Sequence, residues 1–167
     1  MKSAGAKKAV LLIPKANQWQ LCSIAQITID GTWKISTRSQ SLKVQSAVPI
    51  HLVQYVKNTL EPILIDELKT EISGILEGYL LEHQPHSVFC VPLLNQGQLV
   101  AILYLEHPTT KGIFSSERQI IIQFLCAQAA ISLKNAQLYD QSMNLEIYSN
   151  DPVAVNFNDT DLINQFD

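Results

Sequence analysis

The stretch that decides the fold is residues 87–106, SVFCVPLLNQGQLVAILYLE. Two apolar runs, 87–94 and 99–105, flank the four residues Asn95 to Gln98, and Gly97 supplies the positive φ that a hairpin loop needs. The two runs therefore predict a pair of antiparallel strands. Neither run alternates between apolar and polar residues, so both faces of the hairpin must be covered. We expect the sheet to form a middle layer.

A long apolar helix is predicted after the hairpin. Ser115 is a suitable N-cap, Glu117 lies favourably in the first turn, and the helical pattern continues to about Tyr139. The apolar residues form two stripes that cover most of the helix circumference, so the sheet alone cannot bury them. The first stripe contains Ile120, Phe124, Ala127 and Ile131, and the second contains Ile122, Leu125, Ala129, Leu133 and Ala136.

The excess apolar surface of this helix requires a second partner. Polar residues such as Gln123 and Gln128 interrupt the run well before the roughly 20 apolar residues that a membrane span needs. We therefore expect a homodimer through the helix Ile120–Tyr139, rather than membrane insertion or cover from the same chain.

Length and composition favour one compact domain. The chain has 167 residues, of which 47% are hydrophobic and 16% charged, and its net charge is −3. No segment resembles a signal peptide or a membrane span, so we expect a cytoplasmic protein without a membrane partner. No cluster of Lys and Arg interleaves with aromatic residues, which argues against nucleic acid. Three cysteines in apolar contexts are predicted to be buried free thiols, namely Cys22, Cys90 and Cys126.

The remaining chain is predicted to contain a three-stranded meander followed by a segment of mixed structure. Strands are expected at 8–14, 19–29 and 32–36, with Asp30-Gly31 as the last turn, and the polar segment 37–45 allows a further short strand. A short helix, a brief strand and a helical stretch broken by glycines are then expected at 50–59, 62–66 and 67–83.

This order of elements resembles a GAF domain. The resemblance is carried by VPI (48–50), EPILID (61–66), the hairpin 87–106 and the segment from FSSER (114–118) to Tyr139. The final helix is similar to those of GAF domains in bacterial, and especially cyanobacterial-type, multi-sensor signal transduction kinases. The resemblance divides the chain into a lead-in (1–7), a GAF domain (8–141) and an acidic, mostly flexible tail (142–167).

The resemblance implies an α+β fold, a GAF-like antiparallel sheet of about six strands sandwiched between helices. It also implies a sensory or regulatory domain of a two-component signal transduction system, which senses a small molecule or a partner and signals through its C-terminal helix. No enzymatic activity is expected. One alternative is a ligand-free scaffold for dimerisation. Another is a free methionine-R-sulfoxide reductase, but that chemistry needs reactive thiols in the pocket loops, where this sequence has none.

No particular ligand is predicted. Tetrapyrrole-binding GAF domains attach a bilin through a cysteine followed by histidine, and none of the three cysteines precedes a histidine. Cyclic-nucleotide GAF domains carry an Asn-Lys…Phe…Asp-Glu pattern, of which only Lys111, Phe114 and Glu117 are present. Neither a cofactor nor a metal site is expected, although an unknown small molecule is possible. Candidate pocket residues, with core packing as the alternative for the aromatic ones, are Trp33, Tyr55, Asp66, Tyr79, His83, His86 and Tyr104.

Overall fold

A computed structural model describes residues 5–15, 18–28, 30–41, 47–66 and 78–149 of the chain. Within these ranges the elements follow in the order β1 (Lys8–Lys15), β2 (Gln18–Ile27), β3 (Trp33–Ser41), α1 (Ile50–Thr59), β4 (Ile63–Ile65), α2 (Tyr79–His83), β5 (Ser87–Asn95), β6 (Gln98–His107) and α3 (Ser116–Ser149). The end of the predicted polar segment 37–45 and most of the predicted broken helical segment 67–83 lie outside the described residues.

The strands of the described ranges form one six-stranded sheet in the order β3-β2-β1-β6-β5-β4. All neighbouring strands are antiparallel. The two central strands, β1 and β6, come from opposite ends of the sheet-forming sequence and pair from Lys8 with Glu106 to Leu12 with Ile102. This central pairing closes the meander and the hairpin into a single sheet.

Both faces of the sheet are covered. On one face Val10, Ile102 and Tyr104 pack with Leu52 of α1 and Leu80 of α2. The opposite face carries Ala9, Phe89 and Leu105, which pack with Ile122 and Cys126 of α3. Strand β5 is buried from Ser87 to Leu93, as expected for a strand that contacts a layer on each side. The predicted α+β architecture, an antiparallel sheet of about six strands between helices, is confirmed.

The hairpin loop is tighter than the sequence pattern predicted. Asn95 pairs with Gln98, so the strands extend further and only two residues form the turn. Gln96 has φ +50° and Gly97 has φ +77°, which is the pair of positive φ values of a type I′ turn. Gly97 accepts this conformation without strain, whereas Gln96 is a less usual choice for its position.

Helix α3 follows directly after Ser115, whose carbonyl oxygen accepts the first helical hydrogen bond from the Gln119 N–H at 2.9 Å. The row buried against the sheet is Ile122, Cys126 and Ala130. This row differs from the predicted second stripe, because Leu125 is 58% exposed. The first predicted stripe lies outside, with Ile120, Phe124 and Ile131 all exposed.

The chain divides into two compact units, one ending at Lys134 and one beginning at Asn135. In the second unit the helix continues to Ser149, beyond the predicted end near Tyr139, because residues 140–149 contain no proline or glycine that would stop it. Residues 150–167 lie outside the described ranges, and the predicted domain boundaries remain predictions. Among the described helices, none has both the length and the hydropathy of a transmembrane span.

We expect truncation on either face of β6 to destabilise the fold. Replacing Ile102 by Ala removes packing on the α1 side, and replacing Leu105 by Ala removes packing on the α3 side. Each variant should lower the free energy of unfolding by about 2–5 kcal/mol in a urea titration. Ile35→Ala is the matched control, since Ile35 is 68% exposed and its truncation should change the free energy by less than about 0.5 kcal/mol. A small effect for only one of the two buried residues would contradict a sheet that is covered on both faces.

Candidate functional site

A charged and phenolic cluster lies on the face of the sheet that α1 and α2 cover. Lys8 and Glu106 are direct partners in the pairing of β1 with β6, so their side chains project from the same face. Tyr104 precedes Glu106 by two residues and shares that face. Tyr79 begins α2 and brings its hydroxyl to the same place. The four side chains of this buried cluster are Lys8, Tyr79, Tyr104 and Glu106.

Glu106 is the acceptor at the centre of the buried cluster. The Tyr104 hydroxyl donates to its Oε2 at 2.6 Å, and the Tyr79 hydroxyl donates to Oε1 and Oε2 at 3.0 and 2.9 Å. The Lys8 Nζ lies 3.7 Å from Oε1. The carboxylate is thus compensated by one ammonium group and two hydroxyl donors, as a charge removed from water requires.

Lys8 connects the cluster to the segments that cross this face. Its ammonium group donates to the carbonyl oxygen of Ala47 at 2.7 Å and to the Tyr79 hydroxyl. The same nitrogen lies 4.5 Å from the centroid of the Tyr79 ring, within the range of a cation–π contact. One side chain therefore links β1, the entrance to α1, and α2.

Burial fixes the protonation states of the phenols. It raises the pKa of Tyr79 and of Tyr104 well above the ordinary phenol value, and the negative charge of Glu106 raises them further. Both residues therefore remain hydrogen-bond donors at neutral pH. Burial also lowers the pKa of Lys8, while the carboxylate of Glu106 acts in the opposite direction and favours the ammonium form.

Aromatic contacts extend the cluster toward the surface. The ring of His83 stacks on Tyr79 with a centroid separation of 4.0 Å and an interplanar angle of 14°. The rings of Tyr79 and Tyr104 meet edge to face at 6.3 Å. Because His83 is exposed, the stack joins solvent to the buried carboxylate through one tyrosine.

The structure brings together three of the seven predicted pocket residues, Tyr79, His83 and Tyr104. Trp33 lies at the start of β3, an edge strand, beside the turn that contains Asp30. Tyr55 lies on α1 with 41% of its surface exposed, and it makes no part of the cluster. The remaining two predicted pocket residues, Asp66 and His86, form hydrogen bonds in a different part of the fold.

Asp66 and His86 hold the loop between β6 and α3. The Asp66 carboxylate accepts hydrogen bonds from the Ser87 hydroxyl at 2.8 Å and from the Gly112 N–H at 3.2 Å. The Nδ1 atom of His86 lies 2.6 Å from the carbonyl oxygen of Pro108. Since Ser87 shares its face of β5 with Phe89, Asp66 lies on the α3 side of the sheet and not beside Tyr79.

His107 completes this loop. Its Nδ1 atom accepts hydrogen bonds from the N–H groups of Thr109 and Thr110, at 3.3 and 2.9 Å. Burial lowers the pKa of His107, and the neighbouring Lys7 and His86 lower it further. The neutral ring that results is the form that can accept these two bonds. The end of β6 therefore carries Glu106 in the buried cluster and, next to it, a histidine that shapes the approach to α3.

A match to a protein-family model shows which family the chain belongs to. The family model described as "GAF domain" matches residues 2–133. This chain belongs to the GAF domain family. The match covers the whole sheet, the buried cluster and the first turns of α3.

A sequence relative and a solved structure of the same fold accompany the family match. "Hybrid signal transduction histidine kinase G" of Dictyostelium discoideum is 34% identical over 110 residues, which are 66% of this chain but only 3% of that kinase. The GAF domain of a two-component sensor histidine kinase from Bacillus halodurans has the same fold, with a TM-score of 0.57, 13% identity and coverage of 81% of this chain and 86% of that one. This GAF domain is thus homologous to a segment of a signal transduction kinase, which agrees with the predicted sensory or regulatory class. The predicted cyanobacterial-type likeness stays a prediction.

The fold is also shared with an enzyme. The type II free methionine-R-sulfoxide reductase of Thermoplasma acidophilum superposes with a TM-score of 0.53 at 11% identity, covering 78% of this chain and 80% of that one. At that identity the likeness concerns the fold alone. In this GAF domain Cys90 and Cys126 are buried and Cys22 is half-buried, and all three are free thiols.

Two members of the buried cluster, Lys8 and Glu106, were missed in the sequence interpretation of this GAF domain. Glu106 ends a run whose two faces are both buried, and it is in phase with Tyr104. Lys8 begins an apolar strand in phase with Val10 and Leu12, which are both buried. A charged residue spaced two positions from buried residues of the same strand is the sequence signal that could have identified Lys8 and Glu106. Local patterns do not show that β1 pairs with β6, and this pairing is what makes the two charges neighbours. Within the described residues, no group of three or more acidic, histidine or cysteine side chains could hold a metal ion.

We expect the Lys8–Glu106 pair to be energetically coupled. Lys8→Met leaves a buried carboxylate without its cation, and it should lower the free energy of unfolding of this GAF domain by about 3 kcal/mol. In the double variant Lys8→Met with Glu106→Gln, the loss should be smaller than the sum of the two single losses by about 1 kcal/mol or more. Urea unfolding of all four proteins gives this double-mutant cycle.

The control for this cycle is Lys34→Met, which removes an exposed lysine of β3 and should cost less than about 0.5 kcal/mol. Strict additivity of Lys8→Met and Glu106→Gln would show that the two charges do not depend on each other.

Proposed function

We propose that this GAF domain is a non-enzymatic regulatory module of a cytoplasmic signal transduction protein. In this proposal a small molecule or a partner acts at the buried cluster under α1 and α2, and the change reaches α3 on the other face of the sheet. The observation that carries the proposal is the two-sided character of β6. Tyr104 and Glu106 belong to the cluster, whereas Leu105 packs with residues of α3 and His107 accepts hydrogen bonds from the loop that leads to α3.

The chemistry of the cluster favours a small polar or aromatic ligand. Tyr79 and Tyr104 carry hydroxyl groups, His83 adds an exposed imidazole ring stacked on Tyr79, and Glu106 with Lys8 supplies both signs of charge. A ligand that replaces the Tyr79 hydroxyl as partner of Glu106 would release α2 from β6. These residues are the proposed binding site, whereas the hydrogen bonds of Asp66 and His86 favour a structural role in the loop before α3.

Two of the three thiols, those of Cys90 and Cys126, support a regulatory rather than a reductase function. Cys90 is fully buried, and burial raises the pKa of its thiol far above the ordinary value. Burial also raises the pKa of Cys126 to about 11. A reductase needs thiolates that substrate can reach, and these two groups are protonated and covered.

A ligand-free scaffold that pairs through α3 is the second candidate. It is favoured by the complete internal hydrogen bonding of the cluster, since buried side-chain nitrogen and oxygen atoms without a partner are absent from the described residues. The two candidate functions, a sensory module and a ligand-free scaffold, differ in whether a structural change at the cluster reaches α3.

Hydrogen exchange measured by mass spectrometry on the Tyr79→Phe variant tests this coupling. The substitution keeps the ring and its stack on His83 but removes the hydroxyl that joins Lys8 and Glu106. We expect faster exchange in peptides covering residues 107–126, in addition to the local change around α2. Tyr55→Phe is the matched control, because Tyr55 lies half-exposed on α1 outside the cluster, and it should leave 107–126 unchanged. A response of Tyr79→Phe confined to α1 and α2, or a uniform acceleration of the whole domain, would favour the scaffold.

We also propose that two copies of this GAF domain pair through the exposed apolar side of α3. Ile120 and Phe124 are 67% and 64% exposed and lie one helical turn apart, and Ile131 continues their row. A row of large apolar side chains on a helix is typical of an interface that buries it.

The dimer should dissociate when a charge enters this row. Phe124→Glu should shift the sedimentation coefficient of the full chain from the dimer to the monomer value at micromolar concentration, because burying an unpaired carboxylate costs several kcal/mol. The matched control is Gln123→Glu, which adds the same charge at an exposed position on the flank of the helix and should leave the dimer intact. A wild-type protein that sediments as a monomer, or equal effects of the two substitutions, would overturn the proposed interface.

A further inference from the structure

The loop that connects β6 with α3 is held by side chains rather than by a helix or a strand. Residues 108–112 of this loop are all exposed. His107 ends β6 and is only 6% exposed, and its Nδ1 atom accepts the hydrogen bonds from the N–H groups of Thr109 and Thr110. The imidazole ring of His107 therefore fixes the first residues of the loop.

The two hydrogen bonds exist in only one protonation state of His107. A neutral imidazole has one nitrogen that accepts a hydrogen bond, and here that nitrogen must be Nδ1. Both nitrogens of a protonated ring are donors, so protonation at Nδ1 would place an N–H group against the N–H groups of Thr109 and Thr110. A charged His107 must therefore give up both bonds.

The surroundings of His107 also favour the neutral ring. Burial has the largest effect in lowering the pKa of His107, and Lys7 before β1 and His86 before β5 lower it further. The other charged side chains of the neighbouring segments are Asp66 after β4, Lys111 in the loop, Arg118 in α3 and, on the opposite face of β6, Glu106. Asp66 is the acidic group on the same side as His107, but its carboxylate accepts hydrogen bonds from the Ser87 hydroxyl and from the loop itself.

The result is a response to acid. Because the folded chain favours the neutral ring, the pKa of His107 lies below the ordinary histidine value of 6.5. The two hydrogen bonds are complete above that value, and they are lost as the pH falls through the lower pKa of the folded chain. His86 differs, since its Nδ1 faces the carbonyl oxygen of Pro108 and can donate to it in both protonation states.

The structure confines such a change to the loop. Thr109 and Thr110 are exposed, so water can replace the ring as the acceptor for their N–H groups. Beyond the loop, the side chain of Phe114 is buried, and its carbonyl oxygen accepts a hydrogen bond from Nε2 of Gln119 at 2.8 Å. These contacts hold the start of α3 without the help of His107.

We propose that His107 is an acid-sensitive switch, whose neutral ring holds the loop 108–112 in place and whose protonated ring releases it. This loop is the direct connection between β6 and α3, so the switch lies between the sheet and the C-terminal helix. The proposal does not depend on a ligand at the buried cluster, because Glu106 and His107 are consecutive residues of β6 and project to opposite faces.

An NMR titration of the full chain from about pH 7.5 to about pH 5 tests the switch. The amide signals of Thr109 and Thr110 should shift with the same midpoint as the ring signals of His107, and this midpoint should lie below 6.5. The backbone heteronuclear NOE values of residues 109–112 should fall over the same pH range, because the released amides become mobile on the picosecond to nanosecond timescale.

Three substitutions assign the response to its residue. In His107→Asn the side-chain oxygen can accept the same N–H groups, as in an Asx turn, but it does not titrate, so the loop should stay ordered at every pH. His107→Ala has no acceptor and should give low NOE values at both ends of the range. His51→Asn is the matched control, because it removes an exposed histidine of α1, on the other face of the sheet, and it should titrate as the wild type does.

A loop transition that persists in His107→Asn would show that another group, such as Asp66 or His86, carries the response, and it would overturn the proposal. A His107 ring that titrates without any change at Thr109 and Thr110 would overturn it as well, as would a midpoint at or above 6.5. The comparison of the ring with the loop in the wild-type protein needs no variant, so it decides the question even if a variant fails to fold.

Discussion

The rest of the structure depends on the antiparallel pairing of β1 with β6. These strands are separated by most of the folded sequence, and their pairing places the meander and the hairpin in one sheet. Because both strands are central, their side chains must be accommodated in a layer on each face. Val10 and Tyr104 therefore pack with α1 and α2, while Ala9 and Leu105 pack under α3. The fold of this GAF domain is the consequence of covering both sides of one strand pair.

The same pairing explains how a charged cluster can exist in a largely apolar interior. Lys8 and Glu106 are neighbours only because their strands pair in this register. The two phenols supply hydrogen bonds to Glu106 that an ion pair alone would leave unmade, which offsets part of the cost of burying the charges. The arrangement also ties α2 and the entrance to α1 to the centre of the sheet. A change at Tyr79 therefore alters the hydrogen bonds of Glu106, which belongs to β6.

The sequence patterns predict some parts of this molecule well, and the reason differs from part to part. The apolar runs around Gly97 predict the hairpin well. A strand that is buried on both faces is almost entirely apolar, so its ends are easy to locate in the sequence. The long apolar helix was also evident, but its buried row was not, since a helix that is apolar on most sides has no distinct face. Small residues such as Cys126 and Ala130 lie against the sheet, and hydrophobicity alone ranks them below the exposed Phe124. Of the site, the aromatic members could be named from composition and position, whereas Lys8 and Glu106 required knowledge of the strand pairing. Trp33 and Tyr55 fit the same compositional criterion but lie elsewhere, which shows that residue type without topology selects a site only in part.

Residue-resolved amide hydrogen exchange under native conditions tests most directly whether β1 and β6 form the doubly covered centre. Within their paired segments, 8–12 of β1 and 102–106 of β6, these two strands have a hydrogen-bonded strand on both sides and a covering layer on each face. We predict that the amides of these segments exchange only through global unfolding and are the slowest in the protein, whereas amides of the edge strand β3 exchange through local opening. Exchange of β6 amides at rates as fast as those of β3 would contradict the account.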